Sequence, residues 1–105
     1  MQELIALAQQ GADFNISDEN GVIPLMKAAK KGDPSLVKFM IKHTTCINQE
    51  DHYKHTALYY ATENNKLEAV KLLCKNGAKI TDDIFMLAVH KNFREIVNYF
   101  EQVGK

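Results

Sequence analysis

The chain reads as an all-α protein built from stacked antiparallel helix pairs, and three observations lead there. The stretch Gly21 to Ala29 (GVIPLMKAA) returns as Lys54 to Thr62 (KHTALYYAT) at an offset of 33 residues, placing Leu25 on Leu58 and Ala28 on Ala61. The register continues downstream, with Gly32 on Asn65, Val37 on Val70, Met40 on Leu73 and Asn48 on Thr81. A unit of this length cannot bury its own apolar face and has to stack on its neighbours. Prolines at 24 and 34 each open an apolar run; in a first helical turn the missing N–H costs nothing and the fixed φ is already helical, so each unit holds two helices. Leu36, Val37, Met40 and Ile41 form one apolar stripe at helical spacing, and Ala69, Val70, Leu72 and Leu73 form another.

The elements follow in order. A leading helix is expected near residues 2–10, closed by Gly11, whose run GADFN lies two periods from Gly77 to Thr81. Helix pairs are expected near 24–31 with 34–42, and near 57–64 with 67–75. Asp33 is a natural N-cap for the helix that opens at Pro34, and Gly77 supplies the left-handed residue that ends the helix before it. A third copy comes early: Asp83 to Val89 (DIFMLAV) matches Thr56 to Thr62 at an offset of 27, so six residues of the connecting loop are gone. Its helices are expected near 84–91 and 93–102, with Asp82 and Asp83 as N-cap and helix-dipole acids. Turns, not linkers, join the pairs.

Composition narrows the function. At 105 residues the chain is a single domain too small to enclose a deep site. Lys plus Arg equals Asp plus Glu at 13 each, so no net field draws in nucleic acid or an anionic membrane. No apolar run approaches the roughly 20 residues that span a bilayer, and Met1-Gln2-Glu3 lacks the positive start of a secretory signal, so the expected location is cytoplasmic, without membrane insertion. Cys46 and Cys74 stand in unrelated contexts and read as reduced thiols packed as small apolar side chains.

No constellation carries catalysis. His52 and His55 flank a tight turn beside Asp51 and Tyr53, with Cys46 six residues upstream, a set short of the four well-placed ligands of a zinc site. Both histidines read better as exposed contact residues. His43 and His90 read as solvent-facing helix ends. Ser17 and Ser35 are the only serines, neither in a nucleophile elbow, and no glycine-rich phosphate loop is present. The expectation is therefore a protein that is not an enzyme and needs no cofactor or metal. Lys27, Lys30 and Lys31 form a basic patch at one helix end, either a solvated complement to the helix dipole or a contact for an acidic partner.

These residues resemble the ankyrin repeat, whose period is about 33 residues and whose signature is T-P-L-H-x-A. Ile23 to Ala28 (IPLMKA) and Thr56 to Ala61 (TALYYA) carry it imperfectly, supported by the D-x-x-G turn at Asp18 to Gly21 and by GADFN at Gly11 to Asn15. The resemblance implies an ankyrin-repeat solenoid over residues 1–105: a partial repeat at 1–17, repeats at 18–50 and 51–82, and a shortened C-terminal repeat at 83–105. It also implies a protein-interaction module, a scaffold or targeting segment that binds a protein partner through turn tips and the concave helix surface. Carried over by position, the tips are Glu19, Asn20 and Val22, then His52, Tyr53 and His55. The inner helix positions are Met26, Lys30 and Lys31, then Tyr59, Glu63 and Asn64, then Met86, His90 and Lys91. Tyr53 and Tyr59 are the expected energetic centre, because tyrosine is enriched among interface anchors; the alternative is that Tyr59 covers its own neighbour.

The chain also departs from the family. Met26, Tyr59 and Met86 stand where the family carries the histidine that ties turn to helix, which implies looser turns or side chains tuned for contact. Lys54 replaces Gly21 in the second copy, so its turn is not expected to adopt the same positive-φ geometry at low cost, which leaves its shape open. Phe93 and Phe100 are candidates to cover a further partner. Leu4 and Leu7 match Val37 and Met40, but no first helix precedes them and Ile5 is apolar at an outward position. This favours a piece of a longer array over an atypical cap. It also leaves open a structural segment that self-associates or extends a longer stack, although a monomer is the expected state.

Overall fold

The computed structural model describes residues 17–44 and 46–103, so the expected leading helix and the Gly11 cap lie outside the described residues. Among the described residues six helices follow one another: α1 (Pro24–Lys31), α2 (Pro34–Lys42), α3 (Ala57–Glu63), α4 (Leu67–Lys75), α5 (Asp82–His90) and α6 (Arg94–Val103). Among the described residues there is no strand.

The helix ends follow from capping chemistry. Pro24 and Pro34 open α1 and α2 as the sequence implies. Asp33 caps α2, its Oδ1 accepting from the backbone N–H of Ser35 at 3.0 Å and of Leu36 at 3.4 Å. Thr56 caps α3 through Oγ1, which accepts from the Tyr59 N–H at 3.3 Å. In α5 the N-cap is Thr81, in extended backbone, and not an aspartate. Asp82 and Asp83 instead fill the first turn, where their charge complements the exposed N–H groups. The helix therefore starts two residues earlier than expected.

Within each pair the chain reverses through one left-handed residue: Gly32 at φ 75°, Asn65 at φ 56° and Asn92 at φ 60°. These positions share the 33- and 27-residue offsets, and asparagine is the residue that best replaces glycine there. Gly32 has a second reason to be glycine, since a Cβ on it would meet the Lys66 Cδ at 2.4 Å.

Stacking builds two layers. α1 packs on α3 and α3 on α5 in one layer, while α2 packs on α4 and α4 on α6 in the other, each pair also closing on itself. Ala28, Ala61 and Ala88, all at most 1% exposed, repeat at the same place on the first helices and let their backbones approach. Leu25, Leu58 and Ile84 pack with them, while Val37, Met40, Val70, Leu73, Ile96 and Phe100 fill the space around the second helices. Burying each of the larger side chains contributes about 1.5–3 kcal/mol. Phe100 belongs to this core and is not available to cover a partner. Cys46 is exposed, against its expected packing, while Cys74 is half-buried and burial pushes its thiol up to about 11.

The Asn48 side chain adds a polar joint between units. Its Oδ1 accepts from the Lys79 N–H at 2.7 Å and its Nδ2 donates to the Gly77 carbonyl at 3.1 Å, binding one inter-helix loop to the equivalent loop of the next unit. Among the described residues no helix is long and apolar enough to cross a membrane.

Candidate functional site

The candidate surface is set by two turns that use one design. Asp18 Oδ1 accepts from the Asn20 N–H at 2.8 Å and the Val22 N–H at 2.9 Å, and the Gly21 N–H donates to the Asp18 carbonyl at 2.9 Å. One period later Asp51 Oδ1 accepts from Tyr53 at 2.9 Å and His55 at 3.0 Å, and the Lys54 N–H donates to the Asp51 carbonyl at 3.0 Å. Gly21 stands at φ 79° and Lys54 at φ 64°. The second turn, whose shape the sequence left open, thus takes the same geometry with lysine in place of glycine: the carboxylate bonds hold the backbone in the left-handed region despite the strain of a side chain there. The turns are joined to each other by the His52 N–H, which donates to the Asn20 carbonyl at 2.9 Å.

The two carboxylates sit in different surroundings. Asp18 is exposed, and bonds from Val22 and Asn20 hold it below the usual aspartate value. Asp51 is only 5% exposed. Burial pushes its carboxyl up, but the Tyr60 hydroxyl, the N–H groups of His55 and Tyr53, and the nearby His55 ring together outweigh burial and hold it below the ordinary range. The Tyr60 hydroxyl donates to Asp51 Oδ2. Burial and that carboxylate both raise the Tyr60 phenol, so it stays protonated and remains the donor.

Around this anchor the aromatic side chains converge. The His55 ring stacks on the Tyr59 ring, centroids 3.7 Å and planes 9° apart. Tyr60 meets His55 edge-on at 5.6 Å and Tyr59 edge-on at 5.8 Å, and Tyr53 lies 6.2 Å from His55. Tyr59 occupies the position where a histidine was expected to tie turn to helix. Here its stack on His55 makes that tie. Tyr53 stands outward, 63% exposed. Lys30 reaches across from α1, with its ammonium 5.4 Å from the centre of the Tyr60 ring.

The other expected contact residues fall in several places. Glu19 and Asn20 are exposed on the first turn, with Val22 half-buried behind them; His52 is exposed on the second, and His55 is half-buried. Lys30 and Lys31 are exposed at the end of α1, and His90 and Lys91 at the end of α5 with Met86, which is 46% exposed. Glu63 and Asn64 are half-buried, and the Asn64 amide is engaged in donating to the Tyr60 carbonyl at 2.8 Å. Met26 departs from expectation: at 1% exposed it is a core residue. Sequence reasoning missed Tyr60 and the buried role of Asp51. Repeat arithmetic held the signal, because Lys27 stands nine residues after Asp18 and Tyr60 nine after Asp51. In both copies that residue answers the turn carboxylate, by charge in the first and by hydrogen bond in the second. Among the described residues no group of three His, Cys, Asp or Glu side chains is placed to hold a metal ion.

Similarity to known proteins agrees with this geometry. The family model described as ankyrin repeats in three copies matches residues 1–84. A putative ankyrin repeat protein of Acanthamoeba polyphaga mimivirus is 36% identical over 72 residues, 69% of this chain and 9% of its own length. A putative ankyrin repeat protein of Rickettsia felis is 34% identical over 97% of this chain and 25% of its own length. An interferon antagonist of monkeypox virus is 32% identical over 90% of this chain and 35% of its own length. The chain thus spans about a third or less of each of these relatives. With the paired helices, the repeated carboxylate-centred turns and a family match over most of its length, the chain belongs to the ankyrin repeat family.

Proposed function

We propose that this chain is a protein-interaction module without catalysis of its own, engaging a protein partner through its turn tips and the inner face of α1, α3 and α5. The observation that carries this reading is the second turn. Tyr53, 63% exposed, projects from a backbone already bonded to Asp51, beside the stacked pair of His55 and Tyr59. A large amphipathic ring on a preset backbone gives up little freedom on binding, the character of an interface anchor. Replacing Tyr53 and Tyr59 together by alanine is expected to abolish capture of a partner by the immobilised chain, read by mass spectrometry against the unmodified chain, with the helical circular dichroism retained. Unchanged capture with retained helicity would overturn the surface.

A second reading, a segment that extends a stack or self-associates, draws support from α5. Met86 and Val89 remain 46% and 42% exposed there. Light scattering that gives a monomer at high micromolar concentration removes self-association.

A further inference from the structure

Between the first turn, α1 and the Tyr60 ring lies a groove of about 210 Å³, lined by Asp18, Val22, Met26, Lys27, Lys30 and Tyr60. Its polar groups are unequally committed. Asp18 Oδ1 is taken by the N–H groups of Asn20 and Val22, so those N–H groups are not free for a ligand, while the exposed carboxylate keeps its negative charge at the edge of the groove. The Tyr60 hydroxyl is taken by Asp51, leaving the ring itself as a wall. Val22 and Met26 complete an apolar floor. Two exposed cations, Lys27, which also faces the Asp18 carboxylate, and Lys30, held over the Tyr60 ring, outnumber that one carboxylate and leave the rim with a net positive charge.

We propose that this groove takes one apolar side chain of an acidic peptide segment, with Lys27 and Lys30 meeting carboxylates on either side of that residue. The volume suits a single leucine-, methionine- or phenylalanine-sized side chain, and the net positive rim favours an anion. An isolated phosphate fits less well, because the turn N–H groups that would cradle it are already bonded to Asp18. Carboxylates carried on a peptide satisfy both the rim and the floor. The proposal rests on the interaction-module reading above and names the chemistry of its partner. It also decides between the two readings of the basic patch: at Lys27 and Lys30 the charge serves a ligand in addition to the helix dipole.

The test is a selection of random linear peptides displayed on phage against the immobilised full chain, followed by fluorescence polarisation of the enriched peptides. The expected motif is an aliphatic, methionine or phenylalanine residue flanked by aspartate or glutamate. Basic or uncharged motifs, or no enrichment, overturn the proposal. The double variant Lys27→Glu/Lys30→Glu is expected to weaken the enriched peptides by about tenfold or more, with Lys27→Gln/Lys30→Gln intermediate, as removal of paired charges predicts. Lys71→Glu/Lys75→Glu, on α4, should leave them unchanged; equal loss there means general attraction and overturns the groove. Circular dichroism and the thermal midpoint check that each variant folds. Binding lost with Tyr53→Ala/Tyr59→Ala but intact in the lysine variants sinks the groove while sparing the interaction surface. Binding insensitive to all of these variants sinks both.

Discussion

Lys54 holds φ 64° where its counterpart one unit earlier is glycine. A side chain in the left-handed region is strained by about 1–2 kcal/mol, part of which glycine gives back through its looser unfolded chain. Lys54→Gly is accordingly expected to stabilise the fold by about 0.5–1 kcal/mol, read as a higher denaturant midpoint at unchanged slope. Asp51 carries the opposite kind of dependence. Its folded carboxyl titrates below the unfolded value of about 3.9, so it contributes stability above that pH and loses it as pH falls through the folded value. Asp51→Asn should cost about 1–3 kcal/mol at neutral pH, since it removes the charge that Tyr60, Tyr53 and His55 address. The same variant should lose less further stability than the parent on acidification below about pH 4, followed by denaturant titration at each pH. These features were half-legible from sequence. The aspartates at 18 and 51 were visible as a repeat, but a lysine at φ 64° looks like a broken pattern until the bonds to Asp51 are seen.

Each helix owes its bounds to a contest between apolar spacing and local capping. Periodicity and the two prolines placed α1, α2 and α4 to the residue, because proline or a run of core side chains defines their starts. It misplaced α5 by two residues because two consecutive aspartates suit either a cap or a first turn, and Thr81 in extended backbone decided for the turn. α3 stops at Glu63, with Asn64 as its C-cap donating to the Tyr60 carbonyl. Capping strength varies in the same way. α1 opens at Ile23 with no side-chain cap, whereas Asp33 serves two N–H groups of α2. Asp33→Ala should therefore cost about 1 kcal/mol, measurable by thermal or chemical unfolding.

The ladder of α1 on α3 on α5 makes the middle pair the one on which both neighbours rest. Leu58, fully buried in α3, is the side chain whose loss both interfaces feel. Leu58→Ala is expected to cost about 2–5 kcal/mol, and because each unit lacks a core of its own, unfolding should remain one transition at a lower midpoint. Differential scanning calorimetry checks both points. This architecture was the most legible part of the molecule, since a 33-residue period registers alanine on alanine and leucine on leucine over long stretches. The contact surface was less so. Met26 and Tyr59 occupy the same repeat position, yet one is buried and the other stacks on His55, a difference made by the neighbouring turn and absent from the repeat itself. The single backbone bond from His52 to Asn20 has a further effect. By tying one turn tip to the next, it restrains their relative spacing in the free chain, so less entropy remains to be lost in bringing the two tips into register.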